Sequence, residues 1–138
     1  MPLIDISADQ GRALLTNAET MERKPYLKDG GDSSNPDDGF DCSGLVWYVI
    51  SKLGKYQYEY RSTNTLPHHP MLRRLQIPPE MLQTGDLMLF ASHVGFYDPN
   101  PPKKGKFLYS ATSHGVHHED PKYWGNPVGY YRLQTVSQ

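Results

Sequence analysis

Residues 39–54 read GFDCSGLVWYVISKLG. Leu45, Val46, Val49, Ile50 and Leu53 recur there at helical spacing, and Trp47 and Tyr48 widen the apolar stripe well beyond one face. Asp41 is a good N-cap and Gly54 a good C-terminal stop, so the pattern predicts a helix over about 42–53, buried on most sides. A helix that apolar needs a layer to bury against.

The downstream sequence supplies it. LMLF (87–90), HVGFY (93–97), KFLYSA (106–111), GVHHE (115–119) and GYYRL (129–133) are short apolar or alternating runs, separated by turn segments such as DPNPPKKG (98–105). Upstream, residues 7–22 predict another helix: Ser7 and Gln10 form a capping-box pattern, and Gly11, Leu14, Leu15 and Ala18 line one face. Residues 25–40 form a polar loop rich in Gly, Asp, Ser and Asn. In 55–84 four prolines (67, 70, 78, 79) cut the chain into short pieces, with at most one helical turn at 71–75. Helices first and strands later predict an α+β fold, with N-terminal helices packed on an antiparallel sheet of about five strands. At 138 residues the chain is the size of one domain, taken as 1–138.

Composition narrows the function. Hydrophobic residues make up 37% and charged residues 21%, which excludes a disordered chain. A formal net charge of −1, with the basic residues dispersed, offers no nucleic-acid footprint. No run approaches the roughly 18 apolar residues of a membrane span. The N-terminal MPLIDISADQ has no basic region followed by an apolar core, so no signal peptide is expected. These features are read together as a monomer.

The chain has one cysteine, which rules out an internal disulfide and a thiolate-rich zinc site. A lone Cys is usually an inert, packed thiol. Cys42, however, falls in the first turn of the predicted helix, where unpaired N–H groups and the helix dipole favour thiolate. Ser43 and Gly44 behind it are small enough to leave space for a substrate. A nucleophilic Cys needs a base. In GDLMLFASHVGFY (85–97), His93 opens a strand and shares one face with Gly95 and Tyr97. The pair Cys42 and His93 is therefore expected to be nucleophile and base.

DCSGLVWYV followed some forty residues later by GDLMLF and HVGFY resembles the NlpC-type cell-wall cysteine peptidases of the papain-like superfamily, over roughly residues 18–133. The resemblance implies a papain-like α+β core and cleavage of peptidoglycan stem peptides, usually at the γ-D-glutamyl-diaminopimelate bond, through a Cys42 thioester. Cofactors and metal are expected to be none. The resemblance also implies that Tyr26, in Pro25-Tyr26 ahead of Gly30-Gly31, lies near the oxyanion or the substrate, and that Asp41, Ser43 and Gly44 contact substrate. The family often places a His orienter in a run like Phe-Val-His-Ala-Ser. Here the corresponding run is Phe107-Leu108-Tyr109-Ser110-Ala111, so Tyr109 is expected as the third residue, with His114 as its alternative. FLYSATSHGV and the later YWG also resemble phage-type and interbacterial toxin variants. That likeness implies delivery to the periplasm or wall of a target cell and, in the producer, a possible inhibitor (immunity) protein.

Other readings stay open at this level. The same Cys–His pair would serve an amidase or transacylase acting on another isopeptide or acyl substrate. The fold could also persist as a non-enzymatic tail or binding component. His114, His117, His118, Glu119 and Asp120 cluster in sequence, but neighbours on a strand point to opposite faces, which argues against joint metal ligation. Asp29, Asp32, Asp37 and Asp38 suit either a solvated loop or recognition of a stem-peptide amine.

Overall fold

In the computed structural model, which describes residues 2–136, three elements build one helical layer. Helix α1 spans Ala8–Glu19, and its capping box is formed: Gln10 N–H donates to Ser7 Oγ at 3.1 Å and Ser7 N–H to Gln10 Oε1 at 2.7 Å. Helix α2 spans Cys42–Trp47 and passes without a break into a π-helical segment, Tyr48–Leu53. The wider turn has a local cause. Ser51 Oγ donates to the Trp47 carbonyl at 2.6 Å, and the Gly54 N–H reaches back five residues to Val49 at 2.8 Å. Leu45, Val46, Val49 and Ile50 are all fully buried, each such side chain stabilising the fold by about 1.5–3 kcal/mol.

The second layer is a seven-stranded antiparallel sheet in the order β1-β7-β3-β4-β5-β6, with β2 paired to β7 on the flank opposite β1 and β3. Its strands are β1 (Leu3–Asp5), β2 (Leu72–Leu75), β3 (Leu87–Phe90), β4 (His93–Tyr97), β5 (Leu108–Thr112), β6 (Gly115–Glu119) and β7 (Gly129–Val136). The five runs expected from residue 87 onward are β3 to β7, and β1 and β2 are additions. The helical turn allowed at 71–75 is strand β2, because its four residues pair with Leu133 to Tyr130 and bury Leu72 and Leu75 on either side of two exposed arginines.

Each face of the sheet carries its own core. Leu87, Leu89, Val94, Phe96, Tyr109 and Ala111 face the helices. Met88, Phe90 and Leu108 face the other way, under Leu75, Leu82 and Trp124. A buried ion pair fixes the frame: Arg132 on β7 donates from Nε and Nη2 to both Asp86 carboxylate oxygens at 2.8 Å, just before β3. The hairpin joining β3 to β4 has only Ala91 and Ser92 in its loop, since Phe90 pairs with His93. That short connection sets His93 at the very start of β4.

Candidate active site

Asp41 caps α2 with one carboxylate oxygen and binds the preceding loop with the other. Oδ1 accepts from Gly44 N–H at 2.7 Å and Oδ2 from Gly31 N–H at 3.1 Å. Such a cap contributes about 1 kcal/mol. Here it also ties the loop of residues 25–40 to the start of α2 beside Cys42. Gly44 is required by that contact: a Cβ there would stand 2.4 Å from the Gly31 carbonyl oxygen and 2.6 Å from Asp41 Oδ1. The space expected beside the sulfur at Gly44 is thus occupied by the loop. Ser43 is buried as well, its hydroxyl 3.0 Å from that of Tyr60.

Cys42 itself is half-buried. The helix start predicts a depressed thiol, and the structure reverses the sign. Burial pushes the Cys42 thiol up and the Asp41 carboxylate adds to it, against the backbone N–H groups of Val94, Ser43 and Cys42. The Val94 contact puts the sulfur at the start of β4. The β4–β5 ladder pairs Phe96 with Tyr109 and Tyr97 with Leu108, so Val94 lies beyond it and its N–H can turn to the sulfur.

His93, the residue before Val94, is 2% exposed. Val94 and Phe96 face the helices, so the His93 ring rises on the other face. There its Nε2 lies 2.8 Å from Ser110 Oγ, and the Trp124 ring stacks on it at 3.7 Å between centroids and 9° between planes. Trp124 belongs to a 3₁₀ turn, Pro121–Trp124, and its Nε1–H donates to Glu119. This cover drives the imidazole pKa down to about 3 by burial, helped by the nearby His117. The resting pair is therefore neutral thiol and neutral imidazole. One consequence is measurable. In substrate-free protein the rate of Cys42 alkylation by iodoacetamide should keep rising through about pH 8.5 and beyond, as an ordinary or hindered thiol does. A plateau reached below pH 7 would show an ion pair instead.

The orienter expected at Tyr109 is not beside His93. Tyr109 pairs with Phe96, shares its face under the helices, and donates from its hydroxyl to Glu22 at 2.5 Å. Ser110, one residue on, takes the place at His93. His114 lies at the exposed tip of the β5–β6 hairpin, its N–H bound to Thr112 Oγ1 at 3.1 Å and its ring edge-on to His117 at 6.3 Å between centroids. Gly95 explains how Ser110 comes within reach, because a Cβ there would meet Leu108 Cδ1 at 2.7 Å and Ser110 Cβ at 2.8 Å. The room that Gly95 leaves near the imidazole is filled by β5.

Tyr26 bridges to Phe40, just ahead of Asp41, and is 40% exposed. Burial pushes its hydroxyl up first, followed by the charges of Cys42 and Asp41, which sets it near Cys42. Tyr60 is raised by burial with the same two neighbours contributing, so two tyrosines flank Cys42. Of the acidic loop, Asp37 is paired with Lys24 at 2.9 Å. Sequence reasoning missed Ser110 and Trp124 as site residues. Ser110 was adjacent to the residue chosen, and only the strand register separates the two.

Comparison with known proteins agrees with this architecture. The chain is 38% identical over 94 residues to the murein DD-endopeptidase MepH of Escherichia coli, covering 63% of this chain and 31% of MepH. It is 30% identical over 142 residues to the bifunctional muramidase/DL-endopeptidase CwlT of Bacillus subtilis, covering 95% of this chain and 36% of CwlT. It thus spans about a third of the length of these curated relatives. The fold matches a lipoprotein-like NLP/P60 protein of Staphylococcus aureus at a TM-score of 0.65 and 23% identity, covering 96% of this chain and 44% of that one. It also matches the NlpC/p60 domain of the peptidoglycan hydrolase SagA at 0.62 and 21% identity, covering 89% and 97%. These likenesses establish a papain-like α+β core. The NlpC/P60 family model matches residues 23–131, from the loop before Cys42 to β7, and the chain belongs to the NlpC/P60 family.

Proposed function

We propose that this domain is a cysteine endopeptidase of peptidoglycan stem peptides, with Cys42 as nucleophile and His93 as base. The observation that carries the reading is the convergence at the start of β4, where the capped Cys42 touches the Val94 N–H and His93 is the adjoining residue. His93 Nε2 faces Ser110, so Nδ1 is the nitrogen left to accept the thiol proton, and Nε2–H then donates to Ser110 Oγ. The thiolate sulfur attacks the scissile carbonyl while the Cys42 backbone N–H, with the Tyr26 hydroxyl, stabilises the oxyanion. The imidazolium returns its proton to the leaving amine. Water, deprotonated by His93, then hydrolyses the thioester and frees Cys42.

The bond is proposed to be the γ-D-glutamyl-diaminopimelate bond. The relatives' names divide between DD and DL specificities, and a Bacillus subtilis gamma-DL-glutamyl hydrolase stands among them at 30% identity over 125 residues. On this reading the enzyme acts in the wall or periplasm of a target cell, and its producer is protected by compartment or by an inhibitor protein that occludes the pair. Digestion of purified peptidoglycan, with mass analysis of the fragments, tests the bond. New diaminopimelate amino termini with intact D-Ala cross-links are the expected product. Loss of cross-links without such termini would assign a DD-endopeptidase instead.

A further inference from the structure

A second cluster of chemistry-bearing side chains lies on the helix-facing side of the sheet, away from Ser110 and Trp124. Glu19 ends α1, Asp98 directly follows β4, and His118 stands in β6 opposite Tyr109. One ligand atom from each lies within 4.8 Å of the other two. The group mixes an imidazole with two carboxylates, and its parts are held from behind. Asp98 is 6% exposed and its Oδ1 accepts the Asn100 N–H at 2.9 Å, which leaves Oδ2 turned to His118 Nε2 at 2.8 Å. The His118 ring packs edge-on against Tyr109 at 4.6 Å between centroids, and Tyr109 is fixed in turn by Glu22. Outer partners of this kind orient metal ligands.

Charge also points to a cation. Glu19 lies at the C-terminal end of α1, where the helix dipole disfavours a carboxylate, and no basic residue occupies that last turn. Two more carboxylates stand by it, Asp98 within the cluster and Glu22 three residues on in sequence. Among the described residues, the ion pair that Asp98 makes is with His118, and no Lys or Arg pairs with Glu19, Glu22 or Asp98.

We propose that Glu19, Asp98 and His118 form a binding site for a divalent transition metal of the zinc type, bracing the end of α1 against β4 and β6. Imidazole with carboxylates selects such an ion over calcium or magnesium, which take oxygen ligands. Ligands about 2 Å from a tetrahedral ion stand about 3.3 Å apart, so Asp98 Oδ2 and His118 Nε2, now 2.8 Å apart, separate by roughly half an ångström to admit the ion, and the exposed Glu19 side chain adjusts to meet it. Coordination at Nε2 replaces the His118–Asp98 hydrogen bond with two metal bonds, the ring proton moving to Nδ1. A water completes the fourth position. This site rests on nothing in the catalytic reading.

The test uses zinc chloride on the full chain carrying Cys42→Ala, after chelator treatment, so that thiol binding cannot interfere. Zinc at about 100 times its dissociation constant should raise the melting temperature by about 9 °C. Glu19→Gln, at an exposed position that leaves the fold intact, should weaken zinc binding by about tenfold or more in calorimetry. His118→Gln should remove it, and His117→Gln, on the opposite face, should leave it unchanged. Absence of any zinc-dependent shift in the Cys42→Ala protein overturns the proposal. So does equal affinity in Glu19→Gln and His118→Gln, or a loss that follows His117.

Discussion

In a Cys42→Ala variant, hydrolysis of purified peptidoglycan falls by about 10⁴-fold or more, while the melting temperature stays within a few degrees of the wild type. The first half of that result follows from the absence of a substitute. The chain has one cysteine, and the hydroxyl beside it, on Ser43, is buried and bonded to Tyr60. The second half follows from what holds α2. Its cap comes from Asp41, and most of its packing from Leu45, Val46, Val49 and Ile50, so the half-buried Cys42 sulfur is a small part of what holds it. Turbidity loss of isolated cell walls measures the activity, and thermal unfolding measures the fold. Activity within tenfold of the wild type, in protein free of other hydrolases, would remove Cys42 as nucleophile.

That Cys42 stands at a capped helix start was legible because it depends on local signals. A cap, a helical stripe and a glycine stop fix α2 within a few residues, and α1 shows the same kind of signal at Ser7 and Gln10. The strands from residue 87 onward were legible for a similar reason: each is a short apolar run between turn residues. The strand at 72–75 was not. Its LRRL sequence carries two exposed arginines and becomes a strand only because β7 offers an edge to pair with, which is a tertiary cause. The π-helical turn after Trp47 depends on one serine hydroxyl and left no periodic trace.

The partner of His93 shows where sequence reasoning stops. The β4–β5 connection is long, and a shift of one residue in its register exchanges every side chain on β5 between the two faces. With Phe96 opposite Tyr109, the tyrosine goes under the helices and Ser110 goes to the imidazole. No local feature of FLYSA chooses between those registers. Trp124 was harder still, since its role comes from a turn thirty residues downstream of the histidine that it covers.

His93→Ala should lower kcat/KM by about 10³- to 10⁴-fold, close to the loss at Cys42, because the two act as a unit and the buried thiol has no other base within the strand. The pH profile gives the more specific check. An exposed histidine would produce an acid limb near pH 6.5. Burial holds His93 near 3, so it stays neutral and able to accept a proton far below that value, and the limb for kcat/KM should move below about pH 5. Trp124→Ala opens the ring to water, which favours the imidazolium, so the limb should shift upward toward 6.5. Ser110→Ala removes the group that holds Nε2–H toward β5 and leaves Nδ1 poorly directed, a loss of about tenfold or more in kcat. Ser110→Asn, which offers a carbonyl acceptor at the same place, should recover part of it. An acid limb at 6.5 in the wild type, unmoved by Trp124→Ala, would mean that the stack opens when substrate binds and that the buried imidazole is not the catalytic state.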